Sequence, residues 1–285
     1  MRPKAKAPPK KKKRGRGRPK AEAAPVTLQI FQGTKDQQLH SLYDQWYGCL
    51  KCNLGLERQK AGKPDDIVFG EGNPDAHILI IGEAPGEEEE NTSLPFVGPS
   101  GGLLNQMLAM TAADEDVQAE YTTFIKAPKS SMATKRFQTY ISDWRYKEFF
   151  ITNVVSCRPP DNRTPTPVEV HSCWDRLMNI IYIVDPLLII AVGRTALAAV
   201  LKKKEAEITK YRGRLIDVHY DGLFGLATYP VMPILHPSYL LRVADWKQKD
   251  GFYEKTVGDI RTAMQTVDFL RNQHFGTPIP RRERE

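Results

Sequence analysis

The chain has 285 residues, 41% hydrophobic and 9% aromatic, enough for a sizeable core and too apolar for a wholly disordered chain. Its longest apolar stretch, 180–193, is broken by Asp185 and Pro186 and falls short of the roughly 18 residues of a membrane span; no apolar segment of a secretory signal follows the early lysines, which points to a reducing compartment. The net charge of +7 is a property of one end: residues 1–20 carry eleven Lys and Arg and no acid, leaving 30 basic against 34 acidic residues in a mildly acidic body.

That basic end is rich in Pro, has no large apolar residue between Met1 and Val26, and cannot fold alone, so residues 1–30 read as a disordered tail. Its stretch Arg14-Gly15-Arg16-Gly17-Arg18-Pro19-Lys20 resembles the AT-hook, an arm that lies in the narrow minor groove of A·T-rich DNA. A generic polycation arm and a nuclear-import signal fit the same residues, with Arg16 and Arg18 as DNA contacts on the first two readings.

Apolar residues at 39, 42, 43, 46, 47 and 50 predict one amphipathic helix running into Cys49. Continuous apolar runs at 77–82, 149–155, 187–193 and 231–235 predict four strands, the last at an edge because of Pro233. Helical patterns at 101–109, 167–184, 194–203 and 253–272 alternate with them. This order predicts an α/β fold, a three-layer α/β/α sandwich around a short, mainly parallel four-stranded sheet. One domain spans 31–275, with an insert near 112–147 of weak periodicity and a charged C-terminal tail at 276–285.

Ligands in such sheets bind beyond the carboxyl ends of strands. The first of these loops reads Gly82-Glu83-Ala84-Pro85-Gly86-Glu87-Glu88-Glu89-Glu90, followed by a second Gly-rich turn from Pro95-Phe96 to Gly102. Its backbone N–H groups can face an anion or a carbonyl oxygen, although an acidic run is also an ordinary solvated loop. Asn153 stands near the end of the next strand. Of six histidines only His236 leaves a strand into a Pro-fixed turn, which makes it the catalytic candidate. The four cysteines form a two-point chelate, Cys49 and Cys52, and a pair the fold must join, Cys157 and Cys173. Four thiolates suit an iron-sulfur cluster or a structural zinc; the spacing does not decide between them, although zinc sites usually have a tight second pair that this chain lacks. Disulfides are disfavoured in a reducing compartment.

Gly82-Glu-Ala-Pro-Gly86, Pro95-Phe-Val-Gly98, Asn153-Val-Val-Ser-Cys-Arg-Pro-Pro160, His236-Pro-Ser-Tyr-Leu-Leu-Arg242 and the cysteine frame together resemble the family 4, iron-sulfur, uracil-DNA glycosylases from about residue 40 to 272. Departures are the tail, the insert, and Leu94 and Ser156; none is expected to touch the chemistry. The resemblance implies a monofunctional repair glycosylase that flips uracil out of DNA and hydrolyses its N-glycosidic bond. It implies a [4Fe-4S] cluster on Cys49, Cys52, Cys157 and Cys173, structural and not redox-catalytic. Phe96 would stack on the base, and Asn153 would offer an acceptor to N3–H and a donor to O4, a pattern cytosine cannot match. His236 and N–H groups around Glu83, Ala84 and Gly86 would donate to O2. Glu83 is assigned to the pocket. Glu89 would form the wall against the thymine methyl, with Glu88 as competitor. Ala84 stands where other uracil glycosylases keep an Asp for the attacking water. Ser238, Leu240, Leu241 and Arg242 would form a DNA-facing turn whose leucines wedge into the duplex, and Arg158 and Arg163 would meet phosphates. The expected partner is uracil-containing DNA, single- or double-stranded, with no membrane. The protein is expected to act as a monomer in the cytoplasm or nucleoid, or in the nucleus of a eukaryote. A non-catalytic DNA-binding accessory protein and a glycosylase for another base are the alternatives.

Overall fold

Runs of Ile, Leu, Val and Phe without polar alternation suit strands covered on both faces. They occupy the centre of a computed structural model that describes residues 27–63, 67–127, 132–222, 225–243 and 251–274. Strands β1 (Glu71–Gly72), β2 (Ile78–Gly82), β3 (Phe149–Asn153), β4 (Leu188–Val192), β5 (Ile216–Gly222) and β6 (Gly225–Ile234) form one sheet in the order β1-β3-β2-β4-β6-β5. The inner four are parallel, and β1 and β5 are antiparallel edges that the expected four-stranded sheet lacks. Pro233 does not mark an edge strand, because β6 lies between β4 and β5. The β5 ladder ends opposite Val231, so Pro233 sits where one flank of the strand has no ladder to break.

The helices are α1 (Lys35–Trp46), α2 (Asn53–Lys60), α3 (Glu87–Thr92), α4 (Pro99–Ala109), α5 (Glu115–Lys126), α6 (Met132–Glu148), α7 (Pro167–Ser172), α8 (Trp174–Val184), α9 (Gly193–Val200), α10 (Ile208–Tyr211), α11 (Pro237–Arg242) and α12 (Phe252–His274). Successive strand residues feed opposite faces. Leu79, Ile81, Ile189 and Ala191 pack with α1, α8 and α9, whereas Ile78, Ile80, Ile190 and Val192 pack with α4 and α12, which makes the three layers.

Local chemistry moves several boundaries. Thr34 and Gln37 form a reciprocal capping box that starts α1 early, and the helix ends at Trp46, before Gly48 takes φ +63°, so Cys49 lies in a loop. The helix expected over 167–184 is two helices meeting at Cys173. Thr27 and Gln29 donate backbone N–H groups to Asp175 and Asn179 of α8 at 3.3 and 2.9 Å, so the ordered chain begins before residue 31. The insert is α5 and most of α6, packed around Val117, Phe137 and Ile141 with Phe124 and Phe137 stacked at 4.3 Å, and α6 runs directly into β3. Arg16, Arg18 and the charged C-terminal tail lie outside the described residues. Among those described, no helix is long and apolar enough to cross a membrane.

Candidate active site

A cleft of about 370 Å³ opens beyond the carboxyl ends of β2, β3 and β6. Two glycines set its geometry by what they omit. A Cβ on Gly82, the last residue of β2, would lie 2.3 Å from Asn153 Oδ1 and 2.6 Å from Phe96 Cζ. Gly193 has φ +87°, and a Cβ there would sit 3.0 Å from His236 Cβ. Asn153 and Phe96 therefore meet over Gly82, and the rings of Phe96 and His236 face each other at an angle of 29° with centroids 6.2 Å apart. The three residues picked from separate motifs line one cleft with Glu83.

His236 caps α11. Its Nδ1 accepts the Ser238 backbone N–H at 3.1 Å and lies 2.8 Å from Ser238 Oγ. A backbone N–H can only donate, so the ring proton belongs on Nε2. Burial pushes the pKa down to about 4, with the charge of Arg242 acting the same way, so the ring is a neutral donor near pH 7. The Glu83 carboxylate accepts the hydroxyl proton of Thr195 in α9, a partner absent from the sequence reading. Val154 and Val155 donate to the carbonyls of Gly82 and Glu83 at 2.9 and 3.2 Å and tie the two loops together.

Glu89 lines the cleft and has a second, structural part. Its oxygens accept N–H groups of Gly86, Val97 and Gly98 at 3.0, 3.0 and 2.9 Å, so it staples the two Gly-rich turns. Gly86 thus lines the cleft but does not have a free N–H for a ligand, and Pro85 has none at all. Ahead of Pro85, Glu83 and Ala84 carry the N–H groups that the turn can offer.

The rim needs two further corrections. Leu240 is completely buried in the core, because one turn of α11 points it inward, whereas Leu241 is 43% exposed. Ser238 and Arg242 line the cleft. Arg163 is held by both oxygens of Glu169 at 2.7 and 2.8 Å, and Arg158 contacts Glu87, Glu90 and Asn162, so neither is an uncommitted phosphate contact.

Cys49 and Cys52 bracket a loop pressed onto α2, where a Cβ on Gly55 would reach the Cys49 carbonyl oxygen at 2.2 Å. Cys157 lies within electrostatic reach of the other three thiols. Among the described residues no three His, Cys, Asp or Glu converge on a single-ion site; a four-iron cluster spreads its four ligands over separate irons. Burial pushes the Cys157 thiol up to about 12 and raises Cys173 too, against the pull of Arg58 and Arg176 respectively. Arg176 is wholly buried, and it donates to the carbonyls of Phe69, Asn153 and Val154 and to Thr152 Oγ1, all neutral. Its Nε and the Ser156 hydroxyl lack partners. A buried cation among neutral acceptors beside four sulfurs is better matched by thiolates than by thiols, so this donor set fits an anionic metal–thiolate group.

The family description "Uracil DNA glycosylase superfamily" matches residues 69–260. The chain is 35% identical to the type-4 uracil-DNA glycosylase of Thermotoga maritima over 73% of its length and 86% of that protein's. Type-4 uracil-DNA glycosylases of Archaeoglobus fulgidus (28% identical, 79% and 94% covered) and Sulfurisphaera tokodaii (32%, 71% and 76%) are similar over comparable spans.

Proposed function

The chain belongs to the type-4 uracil-DNA glycosylases of that superfamily, and we infer from this premise that Phe96, Asn153 and His236 flank the excised base. It is a DNA-repair enzyme that hydrolyses the N-glycosidic bond of uracil in DNA and leaves an abasic site. The observation that carries the residue roles is the meeting of Asn153, Phe96 and His236 over two glycines in one cleft.

On this reading uracil leaves the stack, lies against Phe96 and presents its Watson-Crick edge to Asn153. The C1′–N1 bond breaks with its electron pair moving onto uracil, and the charge spreads to O2. His236 Nε2–H donates to that oxygen, assisted by the N–H groups of Glu83 and Ala84. Water then adds to C1′, and the proton it loses ends on the departing uracil anion, so the products are an abasic site and neutral uracil. Glu83 is the carboxylate we assign to orient the water, with cleft-lining Glu88 as the competitor; Ala84 offers none and Glu89 is engaged with three N–H groups. Cys49, Cys52, Cys157 and Cys173 would hold a [4Fe-4S] cluster, which supplies a cross-link and no electron to the reaction. Leu241 fills the space of the flipped base, Arg242 meets a phosphate, and Arg16 and Arg18 add backbone or minor-groove affinity.

Oligonucleotides with a single uracil, thymine or cytosine, incubated with iron-loaded protein and treated with alkali, test the function. Strand scission at uracil alone is expected. Intact uracil strands with a fully loaded protein would overturn it.

A further inference from the structure

Phe96 holds an unusual backbone. Its φ is +53°, a left-handed conformation that a bulky side chain rarely adopts. Its carbonyl oxygen is pressed against α4, where a Cβ on Gly101 would lie 1.8 Å from it. The same oxygen accepts a hydrogen bond from Arg145 Nη1 at 2.9 Å. Arg145 is 1% exposed and comes from α6, within the insert.

Its guanidinium makes three further hydrogen bonds, one of them to the neighbouring carbonyl, while Nε has no partner among the described residues. Nη1 also donates to Asn105 Oδ1 at 2.9 Å, and Nη2 to the Pro95 carbonyl at 3.4 Å and to the Tyr146 hydroxyl at 3.1 Å. Among the described residues no carboxylate lies within ion-pair distance of it, and burial lowers its pKa. A buried cation with no direct counter-charge contributes little to stability by itself. What it does locally is to hold the Pro95 and Phe96 carbonyls where an unfavourable φ would otherwise relax.

We propose that Arg145 is a positioning residue for uracil excision: the insert's last helix clamps the Phe96 carbonyl and thereby holds the Phe96 ring over Gly82, facing Asn153 and His236. The inference rests on the assignment of Phe96 as the stacking surface. Loss of the clamp leaves the DNA-binding rim intact and lets the ring drift, so the loss appears in the chemical step and not in DNA affinity.

The test compares Arg145→Met, Arg145→Lys, Gly101→Ala and Phe96→Ala in the full, iron-loaded chain. The readouts are the single-turnover rate at saturating folded enzyme, affinity for an oligonucleotide with an abasic site, and the thermal midpoint. Arg145→Met is expected to slow the rate by roughly 100-fold, the scale of a misplaced contact in an active site, with abasic-DNA affinity held within about twofold. Arg145→Lys keeps one donor for the Phe96 carbonyl and recovers part of the loss. Gly101→Ala pushes the same oxygen from the other side with Arg145 intact and reproduces the defect, which keeps the test open where Arg145→Met does not fold. A purely structural role would lower the thermal midpoint and leave the rate per folded enzyme unchanged; that result in Arg145→Met, or in Gly101→Ala where the former is not folded, overturns the proposal. Full rate in Phe96→Ala sinks the stacking assignment itself. A slow Phe96→Ala beside full-rate Arg145→Met and Gly101→Ala sinks the clamp alone.

Discussion

At the scale of single residues, His236 is both helix cap and cleft wall, and the cap decides its chemistry. With Nδ1 committed to Ser238, the proton lies on Nε2 of a ring that lines the cleft, and burial keeps the ring uncharged. Its donation matters where negative charge grows on the leaving base, so His236→Ala should slow single-turnover excision by roughly 100-fold or more with little change in binding. The pH dependence has a definite sign. Below about 6.5 the unfolded ring takes up a proton that the folded one refuses until about pH 4. The folded state therefore has this stability in full above 6.5 and loses it as pH falls toward 4. Urea midpoints measured across that window should fall more steeply in the unmodified protein than in His236→Ala, and excision should show no step near the ordinary histidine pKa. Phe96, Asn153 and His236 were legible because each stands at a strand end or a Gly/Pro turn. Arg145, Thr195 and Arg176 were not, because the carbonyls of Phe96 and Pro95 that Arg145 holds lie 49 and 50 residues away, Glu83 lies 112 from Thr195, and the partners of Arg176 lie between 22 and 107 away; backbone carbonyls leave no side-chain pattern. Leu240 and Leu241 look alike in sequence, and the turn of α11 separates them into core and surface.

At the scale of elements, the cleft depends on how closely β2 and β3 bring their ends together. Their register places Gly82 beside Asn153, and the missing side chain leaves room for the Asn153 amide and the Phe96 ring. Gly82→Ala should therefore cost about 1–3 kcal/mol of stability through overpacking and should reduce excision far more than that loss of folded protein explains. Chemical denaturation paired with single-turnover rates checks both halves. The inner strands were readable from their apolar runs. The edge β5 carries an alternation, Ile216, Val218 and Tyr220 against Asp217, His219 and Asp221, that a search for continuous runs passes over. The two residues of β1 carry no such period. The insert's weak periodicity has a physical cause: α6 divides its inward residues between its own small core, through Phe137 and Ile141, and the carbonyl clamp of Arg145.

At the scale of the whole molecule, the charge separation predicts a division of labour between affinity and chemistry. The acidic body holds Arg158 and Arg163 against its own carboxylates, and on the proposed reading Arg242 at the cleft and the eleven cations of residues 1–20 meet the DNA backbone. Deleting residues 1–20 should weaken DNA binding and flatten its salt dependence while the single-turnover rate at saturating enzyme stays nearly unchanged. A lost chemical step would place the tail inside the active site. The central claim is that one side chain, Asn153, reads the uracil edge within a cleft assembled by three loops. The most direct measurement is the single-turnover excision rate of unmodified protein and Asn153→Asp on otherwise identical uracil and cytosine oligonucleotides. The unmodified protein should release uracil and leave cytosine, and Asn153→Asp should lose uracil excision, with any activity it gains appearing on cytosine. A full uracil rate in folded, iron-loaded Asn153→Asp would contradict the account.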